Sequence, residues 1–130
     1  PYTTLFRSPV FYIQYAHARI SKVLEQWGGD ISTLKLDESF ILNSESELKL
    51  IKNISIYPEI VLQATKELAP HQIANFLKDC AAELHSYYND SKFLVKDEKI
   101  KIARLSLINS AKYVLKNGLN LLGIEAPQQM

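Results

Sequence analysis

The side chains in this sequence best suited to chemistry are three histidines, one cysteine and a set of tyrosines interleaved with cations. Tyr12, Tyr15, Arg19 and Lys22 recur at spacings of three and four. On a helix turning about 100° per residue they share a face, centred about 150° from the apolar stripe Val10, Ile13, His17, Ile20 and Leu24. Aromatic rings stack on unpaired bases and cations meet phosphates, so this alternation suits single-stranded nucleic acid. The same tyrosines would equally suit packing on a neighbouring segment or another domain. A second basic row, Lys101, Arg104, Lys112 and Lys116, lies within about 120° on the helical wheel, and no acid occurs between Lys99 and Asn117. A solvated helix face gives the same pattern.

Catalytic arrangements are thin. His17 lies on the apolar stripe, as a hydrogen-bonded core histidine would. His71 follows Pro70 in a helix's first turn, a structural position. His85 stands beside Tyr87, Tyr88 and Asn89 at an expected helix end, where contact residues are plausible. No His-x₃-His pair, Ser-His-Asp order or close carboxylate pair stands out. Cys80 faces the core by periodicity and reads as an inert thiol, and a lone cysteine excludes an internal disulfide and a cysteine-rich zinc site. Gly28-Gly29 fits neither phosphate-loop pattern. No catalytic residue and no metal ligand is expected.

The elements that must position these residues are helical. A chain of 130 residues, 47% hydrophobic and 22% charged, is long enough for one globular domain with a sizeable core. No uncharged run approaches a membrane span and no signal peptide is legible, so a cytoplasmic domain without a membrane partner is expected. The two ends are basic and the middle acidic, which hints at an anionic partner touching the ends. Ser8-Pro9 reads as the start of a first helix that Gly28-Gly29 stops. Residues 30–43 read as a surface connection with Leu34, Leu36, Phe40 and Ile41 tucked against the core. Ser44 or Ser46 caps a short second helix through Lys52. Pro58 then opens a third, burying Ile60, Val61, Ala64 and Leu68. Pro70 opens a fourth on Ile73, Phe76, Leu77, Cys80, Ala81, Leu84 and Tyr88, broken near Asn89-Asp90-Ser91. Asp97 and Glu98 open a fifth on Ile100, Ala103, Leu107, Ala111 and Val114. Asn117-Gly118 interrupts it, and Leu119 to Leu122 make a last turn closed by Gly123 and Pro127. The fold class is all-α, a bundle of about five helices.

Four segments carry a family resemblance. Pro9-Val10-Phe11-Tyr12-Ile13-Gln14-Tyr15-Ala16-His17-Ala18-Arg19-Ile20 resembles the PV-(Y/F)-Y-(V/I)-QYAHAR-I segment of arginyl-tRNA synthetases. Glu67-Leu68-Ala69-Pro70-His71-Gln72-Ile73-Ala74-Asn75-Phe76-Leu77 is similar to their ELAPH-x-(L/I)-A-x-(Y/F)-L segment. His85-Ser86-Tyr87-Tyr88-Asn89 resembles their (H/N)-x-(F/Y)-YN turn, and Val114 to Pro127, with Met130 last, resembles the VL-(K/R)-NGL-x-LLGIEAP-x-x-M terminus. The motifs stand in family order and spacing over residues 8–130.

The resemblance implies a DALR-type anticodon-binding domain, a helical bundle of the class I synthetase kind, serving an arginine–tRNA ligase. It implies an upstream catalytic domain, outside this sequence, that uses ATP and Mg²⁺; this piece would carry no cofactor and be inactive alone. The partner implied is the anticodon loop of arginine tRNA. Tyr12 and Tyr15 would be aromatic or hydroxyl contacts, and Arg19, Lys22, Lys112 and Lys116 phosphate partners. Gln14 and Asn75 would give directional hydrogen bonds or tie helices together. On the resemblance, Tyr87, Tyr88, Asn89 and Met130 complete a base pocket. The first helix would sit at the junction with the catalytic domain. Some residues depart from the family pattern. Residues 1–7 match nothing expected there and read as foreign. Ser8 replaces a usual asparagine, Asp90-Ser91-Lys92 replaces a turn that often holds cysteine and arginine, and Gln128-Gln129 replaces a frequent Glu-Arg. Alternatives are the DALR-type domain of another synthetase and a helical protein-interaction module.

Overall fold

The computed structural model describes residues 9–35 and 41–130. Four α-helices make up the described fold: α1 (Pro9–Trp27), α2 (Glu45–Lys66), α3 (His71–Asp90) and α4 (Glu98–Leu121), with a 3₁₀ turn at Ile31–Thr33. Helix α1 packs on α3 and α4, α2 packs on α3 and α4, and α3 and α4, packed on each other, each touch the other three. That central place explains why α4 buries Leu105, Ser106, Ile108, Asn109 and Leu115 in addition to the expected stripe. The expected foreign segment 1–7, the Ser8 cap, and Leu36 and Phe40 lie outside the described residues.

The second and third helices expected from the sequence are one helix. Pro58 lies inside α2, where it lacks the N–H that would bond to the Ile54 carbonyl. The helix continues because Leu50, Ile51, Ile54, Tyr57, Val61 and Ala64 form one stripe that packs in or against the core on both sides of the proline. The proline itself is exposed. Ser44 takes the cap: its hydroxyl accepts the Glu47 N–H, while Glu47 returns a carboxylate oxygen to the Ser44 N–H. This reciprocal pair is a capping box.

Helix α2 ends with Leu68 in the left-handed region, at φ 51°. The Ala69 N–H donates to Ala64 O and the Leu68 N–H to Thr65 O, the pattern that normally places glycine at this position. The turn swings Leu68 outward to 89% exposure, so the expected burial of Leu68 does not occur. Asn117-Gly118 does not interrupt α4 either. A Cβ at Gly118 would lie 2.6 Å from Leu77 Cδ2, so glycine serves there to let α4 approach α3. The stop comes at Gly123, as expected for the close of the last turn, at φ +73°, after which the Ile124 N–H closes on Leu119 O.

Candidate nucleic-acid interface

The basic–aromatic face of α1 does not point wholly into solvent. Tyr12 packs against the core, and both its ring and that of Tyr15 lie on His85 of α3, at centroid distances of 4.6 and 5.5 Å. Arg19 reaches across the same seam. Its guanidinium carbon stands 3.7 Å from the Tyr88 ring centroid and 5.3 Å from that of Tyr15, both within cation–π range. One Nη1–H of Arg19 donates to His85 Nδ1 at 2.8 Å. The helical period alone places these side chains opposite the core stripe; the end of α3 rises high enough to cover part of them.

An open groove of about 460 Å³ begins where this cluster ends. Tyr15, Arg19, Lys22 and Tyr88 form one side, and Gln128, Gln129 and Met130 of the C-terminal tail contribute the rest, with Ala18 and Glu25. The tail is strapped onto α1 at two points. Gln14 Nε2 donates to Glu125 O at 2.8 Å, and His17 Nδ1 donates to Pro127 O at 2.8 Å. Gln14 is therefore a tie between segments, the second of its two expected roles. His17 is 1% exposed, the core histidine expected. Burial lowers its pKa, against the bond to Pro127 and with the charges of Lys112 and Lys116, so the ring is neutral at pH 7 and holds the tail as an Nδ1–H donor.

The adjacent tyrosines of α3 part company. Tyr88 is half-buried and faces the groove, whereas Tyr87 is fully buried. The Tyr87 hydroxyl donates to Glu47 Oε2 at 2.7 Å, and its ring meets Phe93 edge-on at 5.0 Å. Tyr87 thus cannot touch a bound strand directly; it anchors the end of α3 that presents Tyr88 and the exposed Asn89. Its phenol pKa is raised by burial first and by Glu47 second, so it remains a donor.

Glu47 was missed as a site-supporting residue, although Ser44-x-x-Glu47 is a readable capping box. The carboxylate also takes Arg104 Nε at 3.1 Å, and Arg104 Nη1 donates to Lys92 O. Of the basic row on α4, Arg104 is therefore structural, and Lys101 pairs with Glu98 at 2.9 Å. Lys112 and Lys116 make none of the ion pairs among the described residues. Burial and the neighbouring Lys116 charge lower the Lys112 pKa. Lys116 lines a separate open groove with Tyr57, Tyr113 and Asn117, so the structure does not bring it to the Tyr15 groove. Asn75 is exposed on α3 and lines neither groove.

Cys80 is completely buried, and burial pushes its thiol up to about 12, as an inert core thiol requires. Among the described residues no group of three His, Cys, Asp or Glu side chains is placed to hold a metal ion. No helix among the described residues is long and apolar enough to cross a membrane.

Comparison with known proteins gives this geometry a context. Residues 13–130 match the family described as DALR anticodon binding domain. An arginine–tRNA ligase of Nitrosomonas eutropha is 50% identical over 123 residues, which cover 95% of this chain and 21% of that protein. One from Nitrosospira multiformis is 47% identical over the same shares. The chain thus spans about a fifth of the length of these relatives. Among solved structures, the putative arginyl-tRNA synthetase from Campylobacter jejuni superposes with a TM-score of 0.82 at 28% identity, covering 94% of this chain and 26% of that one. The arginyl-tRNA synthetase of Thermus thermophilus gives 0.79 at 35% identity, covering 92% and 21%.

Proposed function

This chain belongs to the family of DALR anticodon binding domains, and from that premise we propose that it holds the anticodon loop of an arginine tRNA for an arginine–tRNA ligase. The observation that carries the reading is the platform of Tyr15, Arg19, Lys22 and Tyr88 opening on one groove with Gln128, Gln129 and Met130. Proteins read RNA sequence mainly in single-stranded loops, whose splayed bases can be stacked on aromatic rings and hydrogen-bonded at their edges. Tyr15 supplies a ring, Tyr88 carries Arg19 on its face, Arg19 and Lys22 meet phosphates, and Met130 closes the pocket. Tyr12 acts from behind by backing His85, and Asn89 lies beside the platform. Lys112 and Lys116 are assigned to phosphates outside this groove, Lys116 beside Tyr57 and Tyr113. Residues 8–130 form the domain.

Ligation of arginine with ATP and Mg²⁺ is assigned, within the same proposal, to the remainder of a longer cytoplasmic protein. The residues of this chain bind and orient the tRNA; no chemical step falls to them. The test is fluorescence anisotropy with labelled arginine tRNA at low salt. Tyr15→Ala is expected to weaken binding by about 1–3 kcal/mol, the usual worth of one stacked base. Unchanged affinity, with helicity intact by circular dichroism, would overturn the assignment.

A further inference from the structure

His85 is buried, and both its ring nitrogens are engaged with α1. Arginine has no acceptor and donates only, so the 2.8 Å contact with Arg19 Nη1 requires an unprotonated Nδ1 on His85. The ring proton is then on Nε2, which points to Tyr12 O at 3.3 Å. One tautomer of the neutral ring satisfies both contacts, and protonation would set two donors against each other at Nδ1. Burial favours the neutral form, and the Arg19 charge acts in the same direction.

Arg19 is constrained on two sides by this arrangement. Its guanidinium carbon is held over Tyr88 and one Nη1–H is taken by His85, yet the side chain still lines the groove. A free arginine samples many rotamers and loses that freedom on binding; a clamped one has already lost it. The guanidinium fork matches a phosphate in a way that depends on its orientation.

We propose that His85 is a positioning residue for RNA recognition: its Nδ1 lone pair holds Arg19 on the face of Tyr88, so that the remaining guanidinium N–H groups meet a phosphate of the bound strand. The proposal rests on the reading of the groove as an RNA site. His85→Phe keeps a ring against Tyr12 and Tyr15 but removes the acceptor. His85→Asn removes the ring, while its Oδ1 stands close to where Nδ1 stood.

Binding of labelled arginine tRNA is measured for both variants, for Arg19→Ala, and for Arg19→Ala combined with His85→Phe. His85→Phe is expected to weaken binding about two- to tenfold, the worth of one pre-ordered long side chain, and His85→Asn to restore most of it. In the Arg19→Ala background, His85→Phe is expected to have no further effect. Full additivity of the two substitutions, or a His85→Phe affinity equal to wild type, overturns the proposal. Tyr15→Ala run alongside separates the two levels. Should Tyr15→Ala weaken binding while His85→Phe does not, only the positioning role fails; should neither matter, the groove is not the RNA site and both readings fall. Ring ¹⁵N spectra of the wild-type chain at pH 7.5 give a check that needs no variant: Nε2–H is expected for His85, and an Nδ1–H tautomer overturns the proposal.

Discussion

Replacing Glu47 by glutamine tests the network that holds the end of α3 in place. The carboxylate is 2% exposed and carries three contacts from different elements. Oε1 accepts the Ser44 N–H at 3.1 Å, while Oε2 accepts the Tyr87 hydroxyl at 2.7 Å and Arg104 Nε at 3.1 Å. Glutamine has the same shape but only one acceptor oxygen. With that oxygen turned toward Tyr87 and Arg104, the amide N–H₂ faces the Ser44 N–H and one arm of the capping box is lost, at about 1 kcal/mol. The bond to Arg104 also changes from charge-assisted to neutral, worth about another 1–2 kcal/mol. The Arg104 side chain is 23% exposed and regains some hydration, which holds the second figure to the lower part of its range. The opposite amide orientation sets a donor against Arg104 Nε; the Tyr87 hydroxyl can turn to accept, but the bond from Arg104 is lost outright, which is worse. The expected loss is therefore about 2–3 kcal/mol in urea denaturation at pH 7, with a Tm drop on the order of 10 °C.

The pH dependence sharpens this test. Burial raises the Glu47 pKa, but the bonds from Tyr87 and Ser44 and the charge of Arg104 together outweigh it, so the folded value lies below the ordinary 4.5. A carboxylate depressed in this way contributes stability that is fully present above the unfolded value and is lost as pH falls through the folded one. The gap between wild type and Glu47→Gln should narrow as the pH is taken below about 4.5. A variant within 0.5 kcal/mol of wild type at pH 7, on the order of an ordinary surface substitution, would refute the reasoning. So would a gap that does not change with acid.

Two further perturbations address the packing and the second basic region. Gly118→Ala puts a methyl 2.6 Å from Leu77 Cδ2, and Leu77 is fully buried. Overpacking costs about 1–3 kcal/mol, and alanine's helix propensity returns up to about 1 kcal/mol, so urea denaturation should show a net loss centred on about 1 kcal/mol. Equal or higher stability would mean that α3 and α4 are not in close contact there. Removing Lys112 and Lys116 together should lower the log–log salt slope of tRNA binding by about 1.4, or 0.7 per single-strand phosphate contact. An unchanged slope would mark both as solvated.

Local periodicity carried much of the fold. The stripe from Ile73 to Leu84 is buried as the three-and-four spacing predicts, and the α3 break at Asn89-Asp90-Ser91 matches a helix ending at Asp90. The rules that failed concern residues with two meanings. Proline and Asn-Gly usually end a helix, yet Pro58 and Asn117-Gly118 lie within α2 and α4. At Pro58 the apolar stripe runs on unbroken, a signal that outweighed the lost N–H. At Gly118 the glycine serves helix contact, and Asn117 accepts the Tyr57 hydroxyl at 2.6 Å. Neither could be read without knowing which helix lies opposite.

The site was legible as residue types but not as an arrangement. Tyr12, Tyr15, Arg19 and Lys22 stood out on one helical face, and the family-like segments brought in Tyr88 and Met130. What separates Tyr87 from Tyr88 is Glu47 arriving from α2, forty positions away. What places Met130 beside Lys22 is the pair of bonds from Gln14 and His17 to Glu125 and Pro127, more than a hundred positions away. Contacts of that range leave no periodic trace.

The most direct test of the central claim is a paired titration at low salt. Labelled arginine tRNA is compared with a transcript that differs only at the middle anticodon base. The account predicts selective loss of affinity for the altered transcript, because the groove of Tyr15, Arg19, Tyr88 and Met130 would hold a splayed base as well as phosphates. Equal affinity for both would contradict it, leaving a basic surface that attracts RNA without reading it.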